Sequence, residues 1–173
     1  GFANLERRDV RGGQIAGFLN GHGGDLHGVQ VAGLANATMG RATGAQIASV
    51  NFARGGLLGA QIGVLNLTSG DTRGVQLGAA NFAFGDTRGL QLGTLNVASG
   101  DSRAVQIGVV NVGRRTRFAF GLVNIVRDGR TQVDVLGTDT GIVYAQVKHG
   151  GEHFHSILSI GVDPFATHPA ALF

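Results

Sequence analysis

The chain has no cysteine and no tryptophan, one tyrosine, one methionine and two prolines among 173 residues. Without thiols there are no disulfide staples and no thiolate metal sites, and the compartment is left open. No apolar run approaches the ~18 residues of a membrane-spanning helix. The sequence shows no signal peptide and does not begin with Met, so Gly1 reads as the start of a processed chain or of a fragment. The net charge is only +3, and thirteen of the fourteen basic residues are Arg. Nucleic-acid binding would need those arginines gathered on one face with stacking aromatics, and the few aromatics sit mostly at apolar repeat positions. No nucleic-acid partner is therefore expected. Glycine, at 31 residues, is the abundant type. That disfavours long helices and suits tight turns between short β segments.

The glycines recur in register with a repeat. Gln14, Gln30, Gln46, Gln61, Gln76, Gln91 and Gln106 stand 16, 16, 15, 15, 15 and 15 residues apart. Each is followed five residues later, or six in the first two copies, by Asn20, Asn36, Asn51, Asn66, Asn81, Asn96 and Asn111. A period this short and regular denotes a stacked array. Apolar residues flank nearly every Gln, as in Val75-Gln76-Leu77, and nearly every Asn, as in Ala80-Asn81-Phe82. Each unit thus holds two apolar-polar-apolar triplets with the period of a strand. Fifteen residues cannot hold a strand and a helix of ordinary length, so each unit is expected to be one coil of an all-β solenoid.

The fold class expected is all-β: a β-solenoid of about seven to eight coils of 15–16 residues, followed by a C-terminal antiparallel β segment. Residues 1–11 read as a lead-in, 12–126 as the solenoid repeats and 127–173 as a strand segment that caps the stack. In the eighth copy Gly121 stands where Gln is due and Asn124 arrives early. The tail reads as strands over 130–136, 142–147 and 153–160, with turns at 137–141 and 149–152. Gln and Asn are expected to form structural ladders, bonded amide to amide up the stack. Ile47, Ile62, Leu77, Leu92, Ile107, Phe52, Leu67, Phe82, Val97 and Val112 are expected to form the core. The opposite phase would leave two apolar stripes exposed, tolerable only where another molecule or sheet covers them. Gly63, Gly78, Gly93 and Gly108 are expected to turn the corner between triplets through positive φ.

The unit Gly-Val/Leu-Gln-Leu/Ile-Gly-x-Leu/Val-Asn-x-Ala, over about residues 12–126, resembles a bacterial surface-repeat family of envelope or lipoprotein-associated proteins. The resemblance implies an exported, cell-envelope location and no known catalytic residues. The string Gln61-Ile62-Gly63-Val64-Leu65-Asn66 and its successors are also similar to the Gln-x-Gly-x-x-Asn core of curlin repeats, which build functional amyloid. This chain's unit is shorter than a curlin repeat.

Point chemistry is sparse. His149, Glu152, His153 and His155 lie close together, but turn polarity explains them better than a metal site does. His22 and His27 read as surface residues of the first long connection. The column Asp71, Asp86, Asp101 lacks the nine-residue calcium-roll repeat, and Arg73, Arg88 and Arg103 follow two positions on as lateral ion-pair partners. The turns that carry these acids are expected to cap nearby backbone N–H groups. No nucleophile elbow or phosphate loop appears. The expectation is a non-enzymatic structural or surface-display solenoid without cofactor or metal, on the cell surface, outer membrane-associated or extracellular. The alternatives are a self-assembling filament subunit, docking through its N-terminal solenoid edge, and an ice- or carbohydrate-binding solenoid.

Overall fold

The computed structural model describes residues 1–128, 130–137, 142–150, 155–163 and 171–172. It is an all-β solenoid of about eight coils followed by an antiparallel sheet. Each complete coil contributes one strand to each of two parallel sheets. The eight-stranded sheet, from Val10–Ala16 to Phe118–Phe120, carries the Gln column. The nine-stranded sheet, from Ala3–Glu6 to Val123–Val126, carries the Asn column. Register is strict: Gln76 lies between Gln61 and Gln91, and Asn81 between Asn66 and Asn96.

The phase of the strands is opposite to the sequence expectation. Gln30, Gln46, Gln61, Gln76, Gln91 and Gln106 and the seven Asn from Asn20 to Asn111 are at most 1% exposed. The residues assigned to the core face outward: Ile47, Ile62 and Leu92 are 38%, 39% and 43% exposed. Leu77, Ile107, Phe52, Leu67, Phe82, Val97 and Val112 are half-buried. The reason is that the sheets face each other across a gap lined by Gln and Asn and by small side chains such as Ala53, Thr68, Ala83, Thr87 and Ala98. Sheets this close leave room for flat amides that bond to each other, and branched or aromatic side chains point away. Val10, Leu26, Ala42, Ala53 and Leu57 form the one buried apolar cluster among the described residues, at the N-terminal end of the stack.

The corner glycines serve close approach rather than positive φ. A Cβ on Gly78 would strike the carbonyl oxygen of Gly63 and come within 2.7 Å of Asn66 Nδ2. Positive φ belongs to another column, two residues before Gln, as at Gly74 with φ +146°.

The array begins inside the stretch read as a lead-in. Ala3–Glu6 pairs in parallel with Leu19–His22 and sets Asn4 on Asn20. At the other end the register gives the Gln position to Ala119, opposite Gln106, and not to Gly121. Asn111 and Asn124 remain partners across a spacing of 13. Two residues have been lost from the long connection, so the short corner keeps its length. Beyond it Arg130–Gly137, Val143–Gly150 and His155–Val162 pair antiparallel, and Ala171–Leu172 adds a fourth strand. Residues 149 and 150, read as part of a turn, continue the second of these strands. The expected turn residues 138–141 and 151–152, and His153, lie outside the described residues. The Val143–Gly150 strand lies against Val123–Val126, the last strand of the Asn sheet.

Candidate functional site

The residues singled out by the sequence form two continuous ladders. Nε2 of each Gln donates to Oε1 of the Gln one coil earlier, at 2.8–3.0 Å from Gln30→Gln14 through Gln106→Gln91. Nδ2 of each Asn donates the opposite way, to Oδ1 of the next coil, at 2.8–3.0 Å from Asn4→Asn20 through Asn111→Asn124. Backbone carbonyls fix these orientations, because only an amide nitrogen can donate to them. Asn66 Nδ2 also donates to Leu77 O at 2.8 Å, and Gln76 Nε2 to Phe82 O at 3.4 Å. The two ladders therefore carry antiparallel rows of amide dipoles, which oppose each other across the interior and limit the net field of the stack.

The Gln ladder stops where the sequence stops supplying it. With Ala119 in the next slot, Thr116 Oγ1 donates to Gln106 Oε1 at 3.3 Å and closes the row. The described ion pairs gather beside this end: Arg114 and Arg115 with Asp128, and Arg115 with Asp101.

Two further columns depart from expectation. Asp71, Asp86 and Asp101 do not pair with Arg73, Arg88 and Arg103 among the described residues. Instead the backbone N–H of Asp86 donates to Asp71 Oδ1 at 3.1 Å, and that of Asp101 to Asp86 Oδ1 at 2.9 Å. Asp71 and Asp86 thus cap the turn of the next coil, as Asp9 and Asp25 do near the N-terminus, while Asp101 meets Arg115. The capping expected of this turn chemistry is present, and among the described residues the lateral ion pairs are not.

His22, read as a surface residue, is only 4% exposed and stands in the column of Thr38 and Thr68. Its Nδ1 lies 3.0 Å from Gln30 Nε2, and its Nε2 is buried without a partner. Burial lowers its pKa from the ordinary 6.5, against the opposing pull of Asp9 and Asp25. Strand alternation through Asn20 was the available signal, because position 22 shares its inward face. His27 is exposed, as expected. No group of three or more His, Cys, Asp or Glu suited to a metal occurs among the described residues.

The outward columns are the chain's distinctive surface. On the Asn sheet the outward positions of all nine strands, from Ala3 and Leu5 through Leu65 and Leu67 to Val123 and Ile125, hold only apolar residues or Gly21. On the Gln sheet two apolar columns run beside a third that contains Arg73 and Arg88 and is continued by Arg103 just before its strand.

These features define a β-solenoid with an amide interior and apolar outer faces. No family model matches the chain, and no curated protein or solved structure matches it.

Proposed function

We propose that this chain is a non-enzymatic structural solenoid that displays regular apolar faces at the bacterial cell surface. One observation carries the reading: the amides are spent on each other inside, and the side chains a globular domain would bury are presented outside. Exposed apolar area of this regularity marks an interaction surface. The repeat's resemblance to envelope-associated surface repeats supports the location. Protease shaving and antibody labelling of intact cells expressing the natural full-length protein test it. Labelling without permeabilisation is expected, and a signal seen only after lysis would refute the location.

A second reading, assembly into filaments, draws on the uncharged outer face of the Asn sheet. Nine strands at ~4.8 Å spacing and four residues of width give a face of very roughly 500 Å². Two such faces packed together would bury about the area of a small specific interface. Electron microscopy with light scattering separates the readings, since a strict monomer at high concentration rules out the filament.

A further inference from the structure

Arg73, Arg88 and Arg103 are exposed and occupy equivalent positions in consecutive coils; Arg73 is the direct register partner of Arg88. Adjacent parallel strands lie ~4.8 Å apart, and like charges directly opposite each other repel. The described ion pairs bring no carboxylate to these three guanidinium groups. The acids nearest in sequence are engaged elsewhere, Asp71 and Asp86 with backbone N–H groups and Asp101 with Arg115. Three guanidinium groups in a row with no ion-pair partner among the described residues, flanked on the turn side by carboxylates that are bonded elsewhere, leave their N–H donors free for an external anion.

The same face says which kind. Along two strands the outward positions read Arg73-Val75-Leu77 and Arg88-Leu90-Leu92; in the next coil Arg103 follows the bridge of Thr87 to Ser102, just before the strand that presents Val105 and Ile107. The apolar columns end on Phe118 and Phe120, 38% and 60% exposed. A cationic row thus runs beside two apolar rows on one sheet face, the pattern of a surface that rests at the boundary between phosphate headgroups and acyl chains. Arg suits the first layer because its planar fork binds phosphate oxygens in pairs. A soluble polyanion would engage the Arg row and leave the apolar columns in water. The uncharged Asn face is better suited to a second copy of the chain, because it brings no cations to the contact.

We propose that the outer face of the Gln sheet docks on an anionic lipid surface, Arg73, Arg88 and Arg103 meeting phosphates while Leu77, Leu92, Ile107 and Phe120 enter the outer acyl region. The inference rests on the reading of the outward columns as the working surface, but its test does not depend on where the protein resides in a cell. Purified protein is floated with vesicles of phosphatidylcholine alone or with about one third phosphatidylglycerol. Binding to the anionic vesicles only is expected, weakened by salt but not abolished, because the apolar columns contribute a salt-insensitive part. A variant with Arg73→Ser, Arg88→Ser and Arg103→Ser should lose about tenfold or more in vesicle affinity. A variant with Leu77→Ser, Leu92→Ser and Ile107→Ser should lose a similar factor. Both sets point outward, and a thermal melt of each verifies that the ladders persist. The salt titration of the unmodified protein tests the idea even if a variant fails to fold. No flotation with anionic vesicles at low salt would overturn the proposal. So would binding that is fully reversed by salt, unaffected by the apolar variant and matched by heparin, which would assign the row to a soluble polyanion.

Discussion

A carboxamide taken out of water must find partners for two N–H donors and a carbonyl oxygen. Gln76 does so: its Nε2 donates to Gln61 Oε1, Thr68 Oγ1 and Phe82 O, and its Oε1 accepts from Gln91. Gln76→Leu would fill the space but leave Gln61 Oε1 and Gln91 Nε2 facing a methyl group, at about 1–3 kcal/mol for each weakened partner. A loss of about 2–4 kcal/mol is expected in urea unfolding. Leu92→Ser, on the outer face, should cost about 1 kcal/mol or less. If Leu92→Ser proves the more damaging, the amide interior is wrong. His22 adds a pH dependence. The second N–H of Gln30 Nε2 meets His22 Nδ1, so the neutral ring accepts there, and protonation would set donor against donor. Because the folded pKa lies below the ordinary 6.5, the unfolded chain takes up the proton first as pH falls. Stability from this site is complete above 6.5 and is lost as pH drops from there through the folded value. The melting temperature should therefore fall as pH drops below about 6.5, and fall less in His22→Thr, which restores the hydroxyl of Thr38 and Thr68. Equal slopes for the two proteins would remove His22 as the cause.

At the scale of the strand, period and position were legible and phase was not. An apolar-polar-apolar triplet is symmetric: it fixes which residues share a face but not which face is inside. Burial of aliphatics is the default, and here hydrogen-bond continuity overrode it. The deciding signal lay in the variance of the columns. The positions before Gln hold Ala60, Val75 and Leu90, a range of sizes that a closely packed interior would not accept in register, whereas the central positions hold the same amide in seven consecutive copies. A ladder demands identity because each rung must match its neighbour in length. The corner shows the same logic in glycine. Gly78 is fixed by the carbonyl of Gly63 and by Asn66 Nδ2, contacts made with the preceding coil and invisible to local turn rules. Gly78→Ala must push that coil away or break the Asn rung. Its thermal unfolding should begin well below that of the unmodified chain, with a loss of about 2 kcal/mol or more, and Ala79→Ser, one residue along and exposed, should be nearly neutral. A Gly78→Ala protein as stable as its parent would show that the corner can relax.

The whole molecule is a one-dimensional crystal of coils, in which each coil contacts chiefly its neighbours and stability approximates a sum over coils and their interfaces. Its register requirement is unusually strict, since slipping one residue turns every ladder amide to the outside and every outer aliphatic into a gap too narrow for it. That makes chain length a sharper probe than any side chain. Deleting residues 76–90 joins Val75 to Gln91, removes one full period and leaves every column intact. The shortened protein should fold with the same strand content by circular dichroism and a somewhat lower unfolding free energy, reflecting one lost coil and one lost interface. Deleting residues 76–89 removes one residue fewer but joins Val75 to Leu90, so the downstream strands meet the upstream ones out of phase. Only the neighbourhood of the lost rung could repair this, by bulging one residue out of the sheet, and the bulge would interrupt both ladders at that point. The smaller deletion should therefore be the more destabilising and should unfold in a broader or two-step transition, as the two half-stacks uncouple. If both deletions melt alike, stacking in this solenoid tolerates a phase slip and the amide ladders are not what holds the coils in register.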